Sequence, residues 1–171
     1  MVPPIAALLT LLLAPDPHGH WSEHLWLAYF DVAQLVVLVG LASLIGARTL
    51  SVLLLISLAV VAVGIMFEVI GNFQVADSIW ATRGNPGSGD GYAQGHDRAA
   101  TGDQFVIVGG LAFAFVAGLT RRVPFKVAGL ALLMVVIPPW LWPATGVLML
   151  LLYGLRSEAG FERRPARQAR T

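Results

Sequence analysis

Cysteine is absent from the 171 residues, which removes disulfide exchange, thiolate metal sites and cysteine nucleophiles from consideration. Charge is scarce too: 12% of the residues are Asp, Glu, Lys or Arg, against roughly 25% in soluble domains. A water-soluble fold is excluded at that point. Lysine occurs once beside ten arginines, a bias we read as genomic base composition. The stretch Gly84–Gly91 has neither the Gly-x-x-x-x-Gly-Lys-Ser/Thr nor the Gly-x-Gly-x-x-Gly spacing of a phosphate cradle, and EF-hand spacing is missing. No His pair is placed across two apolar segments as a haem b site requires. No nucleophile–His–acid set stands out, and no inverted repeat is visible. What the chain does have is apolar sequence, 57% hydrophobic residues and a mean hydropathy of +0.74. Those values predict one all-α polytopic membrane bundle with no separate soluble domain.

The stretch to start from is Pro17 to Arg48. From Leu25 to Ala47 its only charged side chain is Asp31, and that length crosses a bilayer. Wound as one helix at about 100° per residue, it places His20, Glu23, His24, Asp31 and Gln34 on one stripe opposite Leu, Val and Phe. A membrane helix turns such a stripe toward other helices or a wet cavity, because a charge facing lipid costs several kcal/mol. This helix is therefore expected at the centre of the bundle with its stripe inward. Asp31 sits roughly 9 Å inside the span.

Five transmembrane helices are expected. The first is Leu25–Ala47 and the second Leu50–Ile70, tied by a tight hairpin at Ala47-Arg48-Thr49. Ser57, Gly64 and Glu68 share one face of the second, with Glu68 in reach of His24 or His20. The third is Gln104–Leu119, where Gly110, Ala114 and Gly118 have the small-xxx-small spacing of a close helix contact. The fourth (Val127–Ile137) and fifth (Ala144–Leu155) are divided by Pro138-Pro139 and Pro143, which break an interior helix, with Trp140 and Trp142 suited to the interface. Before them, Ile5–Ala14 is apolar but only ten residues, closed by Pro15-Asp16-Pro17. It has no basic n-region or convincing cleavage site, so a short interfacial or re-entrant helix is expected. In outline, 1–24 is the apolar segment and His-rich lead-in, 25–156 the membrane domain with an outer loop over 71–103, and 157–171 a basic tail. Within that loop, Phe73–Trp80 reads as an interfacial helix.

Arginine sets the orientation. Arg48, Arg121, Arg122 and the tail (Arg156, Arg163, Arg164, Arg167, Arg170) share the cytoplasmic side only if two crossings follow Lys126. His18, His20, His24 and His96 then lie outside with loop 71–103, in what we read as a bacterial plasma membrane. The basic tail is short and without aromatic interleaving, which suits anionic lipid headgroups and disfavours nucleic acid.

His20 and His24, one turn apart, can chelate Zn²⁺ or Cu²⁺. Asp31 and Glu68 are the nearest further ligands in this reading, and His18, Glu23 and His96 can complete the shell. The same residues also read as ordinary interfacial histidines and structural carboxyls. Phe73-Gln74-Val75-Ala76-Asp77-Ser78 resembles the Phe-Asn-x-Ala-Asp-Ser motif of lipoprotein signal peptidases, small four-helix aspartyl enzymes. The likeness ends with those six residues. That family's second aspartate stands in an upstream Gly-Asn-x-x-Asp-Arg motif with no counterpart here, Gly71-Asn72 abutting the match directly. One carboxylate makes no dyad to share a proton, and the chain is not read as a peptidase.

Three functions are expected in descending order. The first is a structural or accessory subunit of a larger membrane complex, not catalytic on its own, with other membrane subunits and lipids as partners. The second is an outer-face copper or zinc protein, or a subunit of a metal-dependent membrane enzyme, built on His20, His24, Asp31 and Glu68. The third is a small proton-coupled transporter using Asp31 as carrier.

Overall fold

Long apolar runs with no interior proline wind into helices wherever the chain allows it. The computed structural model describes residues 20–49, 51–82, 90–121, 123–134, 136–137, 141–142 and 144–153, with backbone alone at 20–22, 46–49 and 134. They form α1 (His20–Thr49), α2 (Val52–Ala81), α3 (Asp90–Thr120), α4 (Phe125–Met134) and α5 (Ala144–Tyr153). No strand occurs among the described residues. Three helices, α1 to α3, are long and apolar enough to cross a membrane. The expected N-terminal interfacial helix with His18, the core of the Gly-rich turn, Pro138-Pro139, Trp140, Pro143 and the basic tail lie outside the described residues.

The helix ends follow local chemistry. Ser51 has an extended backbone (φ −83°, ψ 97°) and opens α2, and its carbonyl accepts from Leu55 N at 3.1 Å. At the end of α2, Thr82 Oγ1 donates back to Ser78 O at 2.9 Å. Arg121 closes α3 with φ 52°, its N–H donating to Ala117 O at 3.1 Å, the left-handed stop more often given to glycine. Pro124 precedes α4, where its missing N–H costs nothing. Trp142 Nε1 donates to Ile137 O at 3.2 Å, tying the ends of the α4–α5 turn.

Of the connection expected across 71–103, both flanks are helical: α2 runs on through Phe73–Trp80, and α3 begins fourteen residues before Gln104. Each of α2 and α3 therefore spans about 45 Å at 1.5 Å per residue, well beyond a hydrocarbon core of about 30 Å.

The central helix is α2, and this corrects the expectation for α1. Both α1 and α3 pack along α2, and they do not pack along each other. The reason is glycine. Ser57, Gly64 and Gly71 on α2 stand opposite Gly109, Gly102 and Gly95 on α3 in one antiparallel register. A Cβ on Gly71 would come to 2.5 Å from Gly95 O, and one on Gly109 to 2.8 Å from Val61 N. Backbones this close exclude any larger residue. Of the expected contact residues Gly110, Ala114 and Gly118, Ala114 is buried in the core while Gly118 faces open space. The working spacing is seven residues, not four.

Below this crossing an apolar core forms from Leu41, Ile45, Leu54, Ile65 and Phe113, with Val127 of α4 and Met149 of α5. The short α4–α5 hairpin closes the bundle at Gln34 of α1, since a Cβ on Gly146 would meet Val37 Cγ1 at 2.7 Å and Gln34 Oε1 at 2.9 Å. Outside, the helices are apolar as well: Trp80 and Phe115 are each 68% exposed and Phe125 86%. A surface of that kind suits hydrocarbon as solvent.

Candidate functional site

Each long helix sends a carboxyl group to the same place. On α1, Asp31 is 3% exposed; on α2, Glu68 is 4% exposed. Asp103 of α3 stands at the open edge of the group and is exposed. Glu68 lies within side-chain hydrogen-bonding range of both Asp31 and Asp103. Its stem crosses the glycine contact, so that a Cβ on Gly102 would come to 2.6 Å from Glu68 Cγ. The close approach of α2 and α3 and the position of Glu68 thus have one cause.

Asn72, one turn above Glu68 and buried, links α1 to α2. Its Nδ2 donates to Asp31 Oδ2 at 3.1 Å, and its Oδ1 lies 3.1 Å from His24 Nδ1. An amide oxygen only accepts, so His24 carries its proton on Nδ1 in this arrangement. The remaining nitrogen, Nε2, is the one open to other chemistry. Further out, the His24 ring meets the edge of His96 with centroids 5.2 Å apart, and Tyr92 meets His96 at 4.6 Å. Tyr92, His96, His24, Asn72, Asp31, Glu68 and Asp103 form one polar array running inward from the α3 N-terminus.

Glu68 Oε1 is buried without a hydrogen-bond partner. Two ionised carboxylates have no proton between them. A proton on either supplies the missing donor and turns the contact into a short, strong hydrogen bond. Among the described residues no lysine or arginine takes part in this cluster: Arg98 turns aside, donating from Nη1 to Gln74 Oε1 at 2.7 Å, and Gln74 Nε2 donates on to Gln94 Oε1 at 3.3 Å.

Below the array the chemistry stops. A cavity of about 30 Å³, lined by Leu38, Leu41, Leu58, Val61, Val106 and Phe113 among others, lies beneath Gln34. A void of that size has room for a water, and apart from Gln34 its walls are apolar.

Of the residues expected to form a metal site, His24, Asp31 and Glu68 gather in this array, and the side chain of His20 lies outside the described residues. His24 binds Asn72 rather than Glu68. Among the described residues no three His, Asp or Glu side chains are grouped to hold a metal ion. The inward stripe is present in Asp31, Gln34 and the half-buried His24, whereas Glu23 is exposed. Asn72 and Asp103 were not expected. Their signal is the heptad of glycines, which carries α3 upward past Asp103 and sets it beside Glu68.

Comparison with known protein families, curated proteins and solved structures finds no match for this chain.

Proposed function

We propose that the chain is an integral membrane protein that handles protons, acting as a small subunit of a larger membrane assembly. The observation that carries this reading is the convergence of three carboxyl groups from three helices, with the partnerless Glu68 Oε1 at their middle. Ionisable groups in membrane helices are costly and are retained for proton or ion pathways, or for pairing. The array Tyr92–His96–His24–Asn72–Asp31 supplies groups able to donate and accept from the extracytoplasmic side toward Glu68. Glu68 takes the proton between Asp31 and Asp103, and Asn72 holds Asp31 in place. The largely apolar layer beneath Gln34 acts as the barrier to leakage. The arginine distribution, with Arg48 in the last turn of α1 and Arg121 closing α3, supports a cytoplasmic assignment for that end.

Infrared titration of the detergent-purified protein tests this reading. A protonated-carboxyl C=O band should change with pH and disappear in Glu68→Gln, while Asp77→Asn, away from the array, leaves it intact. A wild-type protein with no pH-dependent carboxyl band would overturn the reading.

The edge contact between His24 and His96 supports a second reading, an outer-face copper or zinc site that includes His20. Stoichiometric metal in purified protein, lost in both His20→Ala and His24→Ala, is its expected signature. Absence of metal after growth with added copper and zinc would remove it.

A further inference from the structure

Among the described residues the carboxyl array buries Asp31 and Glu68 and leaves Asp103 exposed. Its floor is α2, and α1 and α3 form the walls without packing along each other. In the lower half the α4–α5 hairpin fills the gap between those walls, reaching Gln34 through Gly146. α4 has ten residues, a rise of about 15 Å. Asp103 stands seventeen positions above Thr120 in α3, about 25 Å along the axis. Nothing among the described residues covers it. Around it the exposed surface of α3 is Ala100, Gln104 and Ile107, continuing to Val108 and Leu111.

We infer that the open side of the array is a docking face for a transmembrane helix of a partner protein that presents a lysine or arginine to Asp103. The inference rests on the membrane-embedded reading above. Charge complementarity selects the occupant. Asp103 is an exposed acid beside a second acid, Glu68, at a depth flanked by the exposed apolar side chains Ile107, Val108 and Leu111. A carboxyl facing lipid near the end of a span is unfavourable, and an opposing cation on a packed helix removes that cost. A second copy packing through the same face of α3 brings only Arg98 among the described residues, and that arginine is engaged with Gln74. The apolar flanks give the partner helix its packing surface, and Asp103 fixes its register.

A cysteine-free chain and an all-helical face make the test direct. A photoreactive amino acid is placed at Ala100 or Ile107, with Ala112 as control, in native membranes of cells expressing the full chain. Adducts are mapped by mass spectrometry. The expected result is a heterologous adduct, from Ala100 and Ile107 and not Ala112, to a membrane helix with Lys or Arg at the cross-linked level. Its yield should fall about tenfold or more in Asp103→Asn, the scale of losing one charged partner, and stay unchanged in Asp97→Asn. Adducts to lipid alone, to a second copy of this chain, or to a partner whose yield Asp103→Asn does not change would each overturn the inference. The infrared titration reports separately, since loss of the carboxyl band with the adduct intact would refute proton handling and leave the docking face standing.

Discussion

Gly64 and Gly102 each occupy the space where a Cβ on the other would have to go. A Cβ on Gly64 would lie 2.7 Å from Gly102 O, and one on Gly102 would lie 2.5 Å from Gly64 O. That mutual exclusion sets the α2–α3 distance and with it the position of Glu68.

Substituting either glycine tests the relationship. Gly64→Ala or Gly102→Ala should destabilise the protein by about 3 kcal/mol, the upper end of overpacking costs, because backbone and not a flexible side chain stands in the way. Gly118→Ala, which meets open space, should be neutral. Denaturant unfolding in mixed micelles measures all three, and equal stabilities would mean that the two helices do not cross at these glycines.

Asn72 joins two helices through two hydrogen bonds. In Asn72→Leu, Asp31 loses a donor and His24 an acceptor while both stay in the array, at a cost of about 2 kcal/mol. Nitrogen chemical shifts of the His24 ring should lose the Nδ1–H signature. A ring tautomer indifferent to this change would show that Asn72 does not orient His24.

The packing of Gly146 against Gln34 and Val37 makes a third test. Gly146→Ala should push α5 from α1 and cost about 2 kcal/mol. A single cysteine at Thr145, buried in the wild type, should then label faster with a maleimide. Unaltered labelling would place the top of the hairpin elsewhere than at Gln34.

Topology follows from arginine placement and is tested in cells. Reporter fusions after Arg48, Arg122 and Arg164 should all report cytoplasm, and a fusion within 84–91 should report the outside. An external signal at Arg164 would leave an odd number of crossings after Lys126 and detach α4 and α5 from the two-crossing reading.

Five helices among the described residues were legible from apolar run length and prolines, though only three are long enough to cross a membrane, and the burial of Asp31 and Gln34 was legible from the 100° stripe. Which helix lies in the middle was not. Periodicity ranks faces by polarity, and α1 has the most polar stripe; centrality came instead from small residues, which hydropathy does not weigh. Gly95, Gly102 and Gly109 lie partly in a stretch whose Asp90, Asp97, Arg98 and Asp103 read as loop. Polar residues on the open side of α3 masked a helix whose other side is built for backbone contact. Asp103 was missed for the same reason, and Asn72 because an amide beside a glycine carries no motif.

The seven-residue glycine spacing leaves the α2–α3 hairpin with an ambiguity. Sliding α3 by one repeat still puts Gly64 opposite a glycine, Gly95 or Gly109, so backbone fit alone tolerates three alignments. The polar groups do not. After such a slip Glu68 would find His96 or Gly110 where Asp103 now stands. The carboxyls therefore act as a key that chooses among near-equal threads. A Glu68 variant accordingly threatens correct assembly as well as chemistry, and a population of misaligned hairpins is the defect to look for in it.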